Sequence, residues 1–99
     1  MFVVANRIYV APGSEPAFEE RFRTRPRQVE QAAGFIRSEV LRPISEGSPY
    51  VVLTHWQDEA SFRRWTETPS FRAAHASPRQ PEGMFSQPNA FEMHEVALL

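Results

Sequence analysis

At 99 residues, with 41% hydrophobic and 23% charged side chains, the chain has room for a single domain spanning 1–99 around one two-layer core, which a partner chain would do much to stabilise. A formal net charge of -1 at pH 7 excludes a general attraction to nucleic acid or to an anionic membrane. With no cysteine there is no disulfide, thiolate or zinc-thiolate chemistry, and every basic residue is arginine, suited to forked contacts with carboxylates.

The first stretch, MFVVANRIYV, carries Arg7 inside its apolar run and has no small-residue cleavage site. It reads as neither a signal peptide nor a membrane span, and a cytoplasmic protein is expected. Residues 2–10 have the β-branched and aromatic content of a strand that Pro12-Gly13 stops. Alternation puts Phe2, Val4, Asn6, Ile8 and Val10 on one face, and Asn6 is the only polar residue among them. Its amide is either tied to neighbouring backbone or offered to a ligand, because a buried amide without partners costs about 1–3 kcal/mol.

Ser14 is placed to cap a first helix with Pro16 in its first turn, and Phe18, Phe22 and Val29 lie near one stripe running towards Gly34. Pro26 lacks a donor and clashes with the preceding turn, so a kink or restart is expected near Arg25. Arginines at 21, 23, 25 and 27 read first as a solvated helix face. Residues 35–42 and 50–56 read as two strands joined by a loop from Pro43 to Pro49, and the second is apolar on both faces. His55 on it has no second ligand type beside it and reads as a packing or interface residue.

In WQDEASFRRWTETPSFRAAH, residues 56–75, apolar residues at 60, 62 and 65 have helical spacing, and Thr68 with Pro69 supplies a cap and first-turn proline for a new helix. Phe71, Ala74 and His75 then fall on one face, so the imidazole is expected to point inward. An inward histidine is either satisfied by a backbone carbonyl or held for a ligand, just as Trp65 is either plain packing or a pocket wall. Residues 76–90 follow as a proline-rich loop, placed to wall a pocket or to reach a second subunit. FEMHEVAL closes the chain as a strand on which His94 shares a face with either Glu92 or Val96.

The order strand, helix, strand, strand, helix, strand is that of the α+β ferredoxin-like fold, βαββαβ, with a four-stranded antiparallel sheet and helices on one face. The first and third strands are apolar on both faces, so the helix-free face calls for a homodimer in which two sheets pack by a two-fold axis, a dimeric α/β barrel.

Several short motifs coincide. Trp65 precedes His75, the last residue of an Ala73-Ala74-His75 run, by ten residues, Asn6 stands on the first strand, and ERFRTR occupies residues 20–25 of the first helix. Together they resemble the IsdG-type haem-degrading monooxygenases of the antibiotic biosynthesis monooxygenase (ABM) superfamily, over nearly the whole chain. The resemblance implies that haem is bound as substrate and cofactor together. His75 would be the iron ligand, Asn6 would hydrogen-bond an iron-bound ligand from the opposite side, Trp65 would press the porphyrin out of plane, and Phe22 and Arg25 would contact haem, Arg25 at a propionate. O2, an external electron donor from an unidentified reductase and a second copy of the chain complete the implied partners. Two other classes stay open: a cofactor-free ABM oxygenase of an aromatic substrate, and a non-catalytic dimeric binding module in which Asn6 and His75 bond internally.

Overall fold

Residues 1–75 and 83–99 are described by the computed structural model, residues 74 and 75 by their backbone alone. In chain order the elements are β1 (Phe2–Ile8), α1 (Glu15–Thr24), a 3-10 turn (Gln28–Gln31), β2 (Phe35–Leu41), β3 (Tyr50–Trp56), α2 (Glu59–Thr66), α3 (Pro69–His75) and β4 (Ala90–Glu95). The strands form one antiparallel sheet in the order β2-β3-β1-β4, the ferredoxin-like arrangement expected from the sequence.

Alternation along β1 and β3 builds the interface with the helices. Phe2 stands opposite Trp56, Val4 opposite Thr54, Asn6 opposite Val52 and Ile8 opposite Tyr50. On this face two apolar clusters form. Phe2, Val4 and Trp56 pack with Phe62 and Trp65 of α2, while Ile8, Tyr50 and Val52 pack with Phe18 of α1 and with Met84. Phe18 is only 2% exposed, and burying such a ring contributes about 1.5–3 kcal/mol relative to leaving it in water.

Pro26 ends α1. The residue before a proline is driven out of the helical region, and Arg25 is extended at φ -69°, ψ 152°. The restart expected near Arg25 is the short 3-10 turn rather than a second α-helical length. This break divides the expected stripe, since Phe22 packs on one cluster and Val29 on the other. Ser14 does occupy the N-cap position, but its side chain makes no capping bond; the Glu15 carboxylate instead accepts from the Gly13 N–H at 2.6 Å. Gly34, at φ +84°, lets the chain pass over α2, where a Cβ would meet the Ser61 hydroxyl at 2.1 Å.

β1 is shorter than expected, and beyond it the chain continues to pair. Val10 bridges Phe85, Ala11 N–H donates to the Met84 carbonyl at 2.7 Å, and Ser86 N–H donates to the Tyr9 carbonyl at 2.9 Å. Residues 84–86, expected in a pocket wall or on a second subunit, therefore fold back onto their own chain. Residues 76–82 of that stretch lie outside the described residues. On β4 the register sets His94 beside Val3, on the helix-free face with Glu92.

Candidate functional site

The break between α2 and α3 is fixed by short-range bonds that the sequence makes predictable. Asp58 opens α2 by accepting from Ser61 N–H at 2.8 Å and from its hydroxyl at 2.7 Å, and these bonds lower the carboxyl's pKa. Thr68 serves both helices. Its hydroxyl donates to the Trp65 carbonyl at 2.7 Å and accepts from Phe71 N–H at 3.1 Å, so one side chain closes α2 and caps α3. The Trp65 indole meets the Phe71 ring edge-on at 6.0 Å and is 8% exposed, which makes it a fixed part of the core. Ala74 and His75 end α3 in sequence, but their side chains lie outside the described residues, so the inward direction expected for the imidazole lies outside them too.

Asn6 lies on the helix-facing side of β1 between Val4 and Ile8, residues that belong to different clusters, and is itself in neither. The register carries one row across all four strands, Val40, Val52, Asn6 and Phe91. The outer ends of this row are uncovered, Val40 at 39% and Phe91 at 56% exposure, and α1 makes no extensive contact with α2 or α3. Among the described residues the half-buried Asn6 amide makes no side-chain hydrogen bond. A free amide in an apolar row is able to donate to and accept from a ligand without ionising.

Between α1 and the β2 edge of the sheet is a cleft of about 570 Å3 whose lining includes Phe22, Arg25, Ser38, Val40, Arg42 and Tyr50. Asn6 and Trp65 are not among its walls. The Arg25 guanidinium stacks on Phe22, 4.3 Å from the ring centroid. Burial first, then the neighbouring Arg27, lower the Arg25 pKa, so a carboxylate brought there would relieve a desolvated cation. The structure thus brings Phe22 and Arg25 into direct contact on one cleft.

Sequence reasoning missed a second group on the same cleft. Arg42 donates from Nε and Nη2 to the two Glu19 oxygens at 2.7 and 2.6 Å, and the Tyr50 hydroxyl donates to Glu19 at 2.5 Å. Arg42, then Tyr50, hold the Glu19 carboxyl down to about 2. Burial, then Glu19, push the Tyr50 hydroxyl up to about 12. The cluster ties α1 to the β2–β3 hairpin. Twenty-three and thirty-one residues separate Glu19 from its two partners, and no local pattern announces contacts at that range.

Among the described residues no group of three or more His, Asp or Glu side chains is placed to hold a metal ion. No helix there is long and apolar enough to cross a membrane.

The family model described as antibiotic biosynthesis monooxygenase matches residues 1–77. A "Heme oxygenase (mycobilin-producing)" of Mycobacterium tuberculosis is 39% identical over 77 residues, covering 78% of this chain and 72% of its own. Among solved structures, the heme-degrader MhuD of Mycobacterium tuberculosis with two hemes bound in its active site aligns with TM-score 0.80 at 34% identity over 99% of this chain and 97% of that one. SnoaB, a cofactor-independent oxygenase from Streptomyces nogalater solved as a point mutant, aligns with TM-score 0.76 at 21% identity, covering 99% and 94%, and shares the fold.

Proposed function

Since the chain belongs to the antibiotic biosynthesis monooxygenase family, we propose that this monooxygenase acts on haem, binding it as substrate and cofactor and opening the porphyrin ring with O2 and electrons from an external donor. The observation that carries this reading is the half-buried Asn6 amide, without a partner among the described residues, in an otherwise apolar row on the helix-facing side of the sheet. The residues present fit a flat apolar body edged with carboxylates. The row offers the apolar floor, and Arg25 and Phe22 in the adjoining cleft offer a cation on an aromatic support.

Bound haem supplies the iron at which O2 is reduced and the porphyrin carbon that is oxidised. In this reading a neutral His75 imidazole would hold the iron and the Asn6 amide would donate to a ligand bound there. An amide orients an oxygen ligand without surrendering a proton, whereas a lysine or a protonated histidine in its place would act as an acid. Trp65 is held by the Phe71 contact and its own burial, so its indole would be a rigid wall beside a bound ring. Arg25 pairs with a carboxylate, and the apolar row excludes water from the floor. The helix-free sheet face, with Val3, Ala5, Val51 and Leu53 at its centre, pairs two copies into a homodimer.

The test is a haem titration of the full chain. A Soret band saturating at one haem per chain and lost in His75→Ala is the expected result. No haem binding combined with oxidation of a polycyclic phenol to a quinone would assign the chain to the cofactor-free oxygenases, whose fold SnoaB shares.

A further inference from the structure

The cleft between α1 and the β2 edge is lined by four arginines, Arg23, Arg25, Arg27 and Arg42, and by one carboxylate, Glu19. Three of the four are already paired. Arg23 bonds Glu20 and Arg27 lies 3.5 Å from Glu30, and the arginine side chains of both pairs are largely exposed, so these pairs stand in water and hold little. Arg42 is taken by Glu19 through two bonds, and Glu19 is anchored in turn by the hydroxyl of the buried Tyr50. A carboxylate that sought Arg42 would have to displace one that three donors hold in place. With its carboxyl held down to about 2, Glu19 keeps its charge throughout the neutral range. Arg25 differs from the other three. It is half-buried on the Phe22 ring and makes no hydrogen bond or ion pair among the described residues. One turn back on α1 it finds Arg21 and Phe22, where Arg23 finds Glu20. Burial has taken water from this cation and given it an aromatic face in return.

We propose that Glu19 sets the number of carboxylates this cleft takes at one: by occupying Arg42 it leaves Arg25 as the single cation open to a ligand, so one carboxylate of a two-carboxylate macrocycle is held here and the other is left to solvent. This rests on haem as the ligand, as proposed above, and adds which part of it the cleft selects. Glu19 works in two ways. It fills the Arg42 donors, and its own charge repels a second carboxylate brought beside it. It touches no ligand and acts through Arg42, so it is a positioning residue. Its removal changes a preference between ligands and leaves the grip of Arg25 on the first carboxylate in place.

The test titrates the full chain with haem, its monomethyl ester and its dimethyl ester, followed at the Soret band. In the wild type the monoester is expected to bind within about 2-fold of haem, the factor between offering one arm and offering two. The dimethyl ester is expected to bind at least about 10-fold more weakly than the monoester, the scale of a charge-assisted pair with a half-buried guanidinium, and Arg25→Gln is expected to remove that difference. In Glu19→Gln the ratio of monoester Kd to haem Kd is expected to rise about 5-fold over the wild type, the upper scale of an exposed arginine–carboxylate pair. Glu19→Gln combined with Arg42→Gln is expected to return it to the wild-type value. Because the variants are read against the wild type with the same two ligands, the apolarity of the ester cancels. The wild-type ratio needs no variant to decide: a monoester about 10-fold weaker than haem shows a second carboxylate held, and overturns the inference. A ratio unmoved in Glu19→Gln, or a gain that survives the loss of Arg42, also overturns it. Equal binding of all three porphyrins overturns the inference and leaves haem binding intact, whereas no Soret change with any of them overturns both.

Discussion

Replacing Asn6 by alanine separates a structural amide from one reserved for a ligand. A half-buried amide that satisfied its neighbours would leave them unpaired when removed, at a cost of about 1–3 kcal/mol. For a domain of this size each kcal/mol lowers Tm by about 4–8 °C, so that role corresponds to a loss of roughly 4–24 °C. The amide has no partner among the described residues, and its neighbours in the row, Val52 and Phe91, have no side-chain group to leave stranded. Asn6→Ala is therefore expected to melt within about 4 °C of the wild type, or above it, as a surface-like substitution of about 0.5 kcal/mol would. The assay is a thermal melt of the haem-free protein followed by circular dichroism, beside a haem titration of the same variant. Near wild-type haem affinity with no turnover is expected. A Tm loss above about 10 °C, within the range set for a structural amide, with haem decay intact would assign Asn6 to the core and refute the reasoning.

Trp65→Ala is expected to cost about 3–5 kcal/mol, because it leaves a cavity among Phe2, Val4, Trp56 and Phe62, and a melt measures it. Trp65→Phe is expected to keep the fold and bind haem but to turn it over more slowly, which stopped-flow absorbance checks. Glu19, held down to about 2 by Arg42 and Tyr50, contributes stability that is full above about pH 4.5 and lost as pH falls through about 2. Glu19→Gln is expected to flatten that part of the pH–stability profile, and urea midpoints across pH 5 to 2 decide it.

The parts of the fold legible in the sequence are those fixed locally. Thr68 and Pro69 announce the break after Trp65, Pro26 announces the end of α1, and a period of two places Asn6 beside Val4 and Ile8. Where a neighbouring group competed, local reading failed. Ser14 has the composition of a cap, yet Pro16 offers no N–H at N2 and the Ser14 side chain makes no capping bond, and Val29 shares a stripe with Phe22 only until Pro26 resets the phase. Interactions that depend on sheet order were not legible at all. Glu19 meets Arg42 and Tyr50 only because the β2–β3 hairpin passes beside α1, and His55 meets Glu39 only through the register of that hairpin. The proposed site divides in the same way. Periodicity puts Asn6 and Trp65 on inward faces, their roles and that of the His75 imidazole rest on the family motif, and the amide's lack of a partner among the described residues required the structure.

The most direct test of haem degradation is turnover of one equivalent of haem in air. The full chain is mixed with haem, ascorbate and catalase, and the Soret band and chelated ferrous iron are followed together. Loss of the band in step with release of one iron per haem, abolished without oxygen, is the expected result. A Soret band that persists with haem bound through His75, and no iron released, would contradict it.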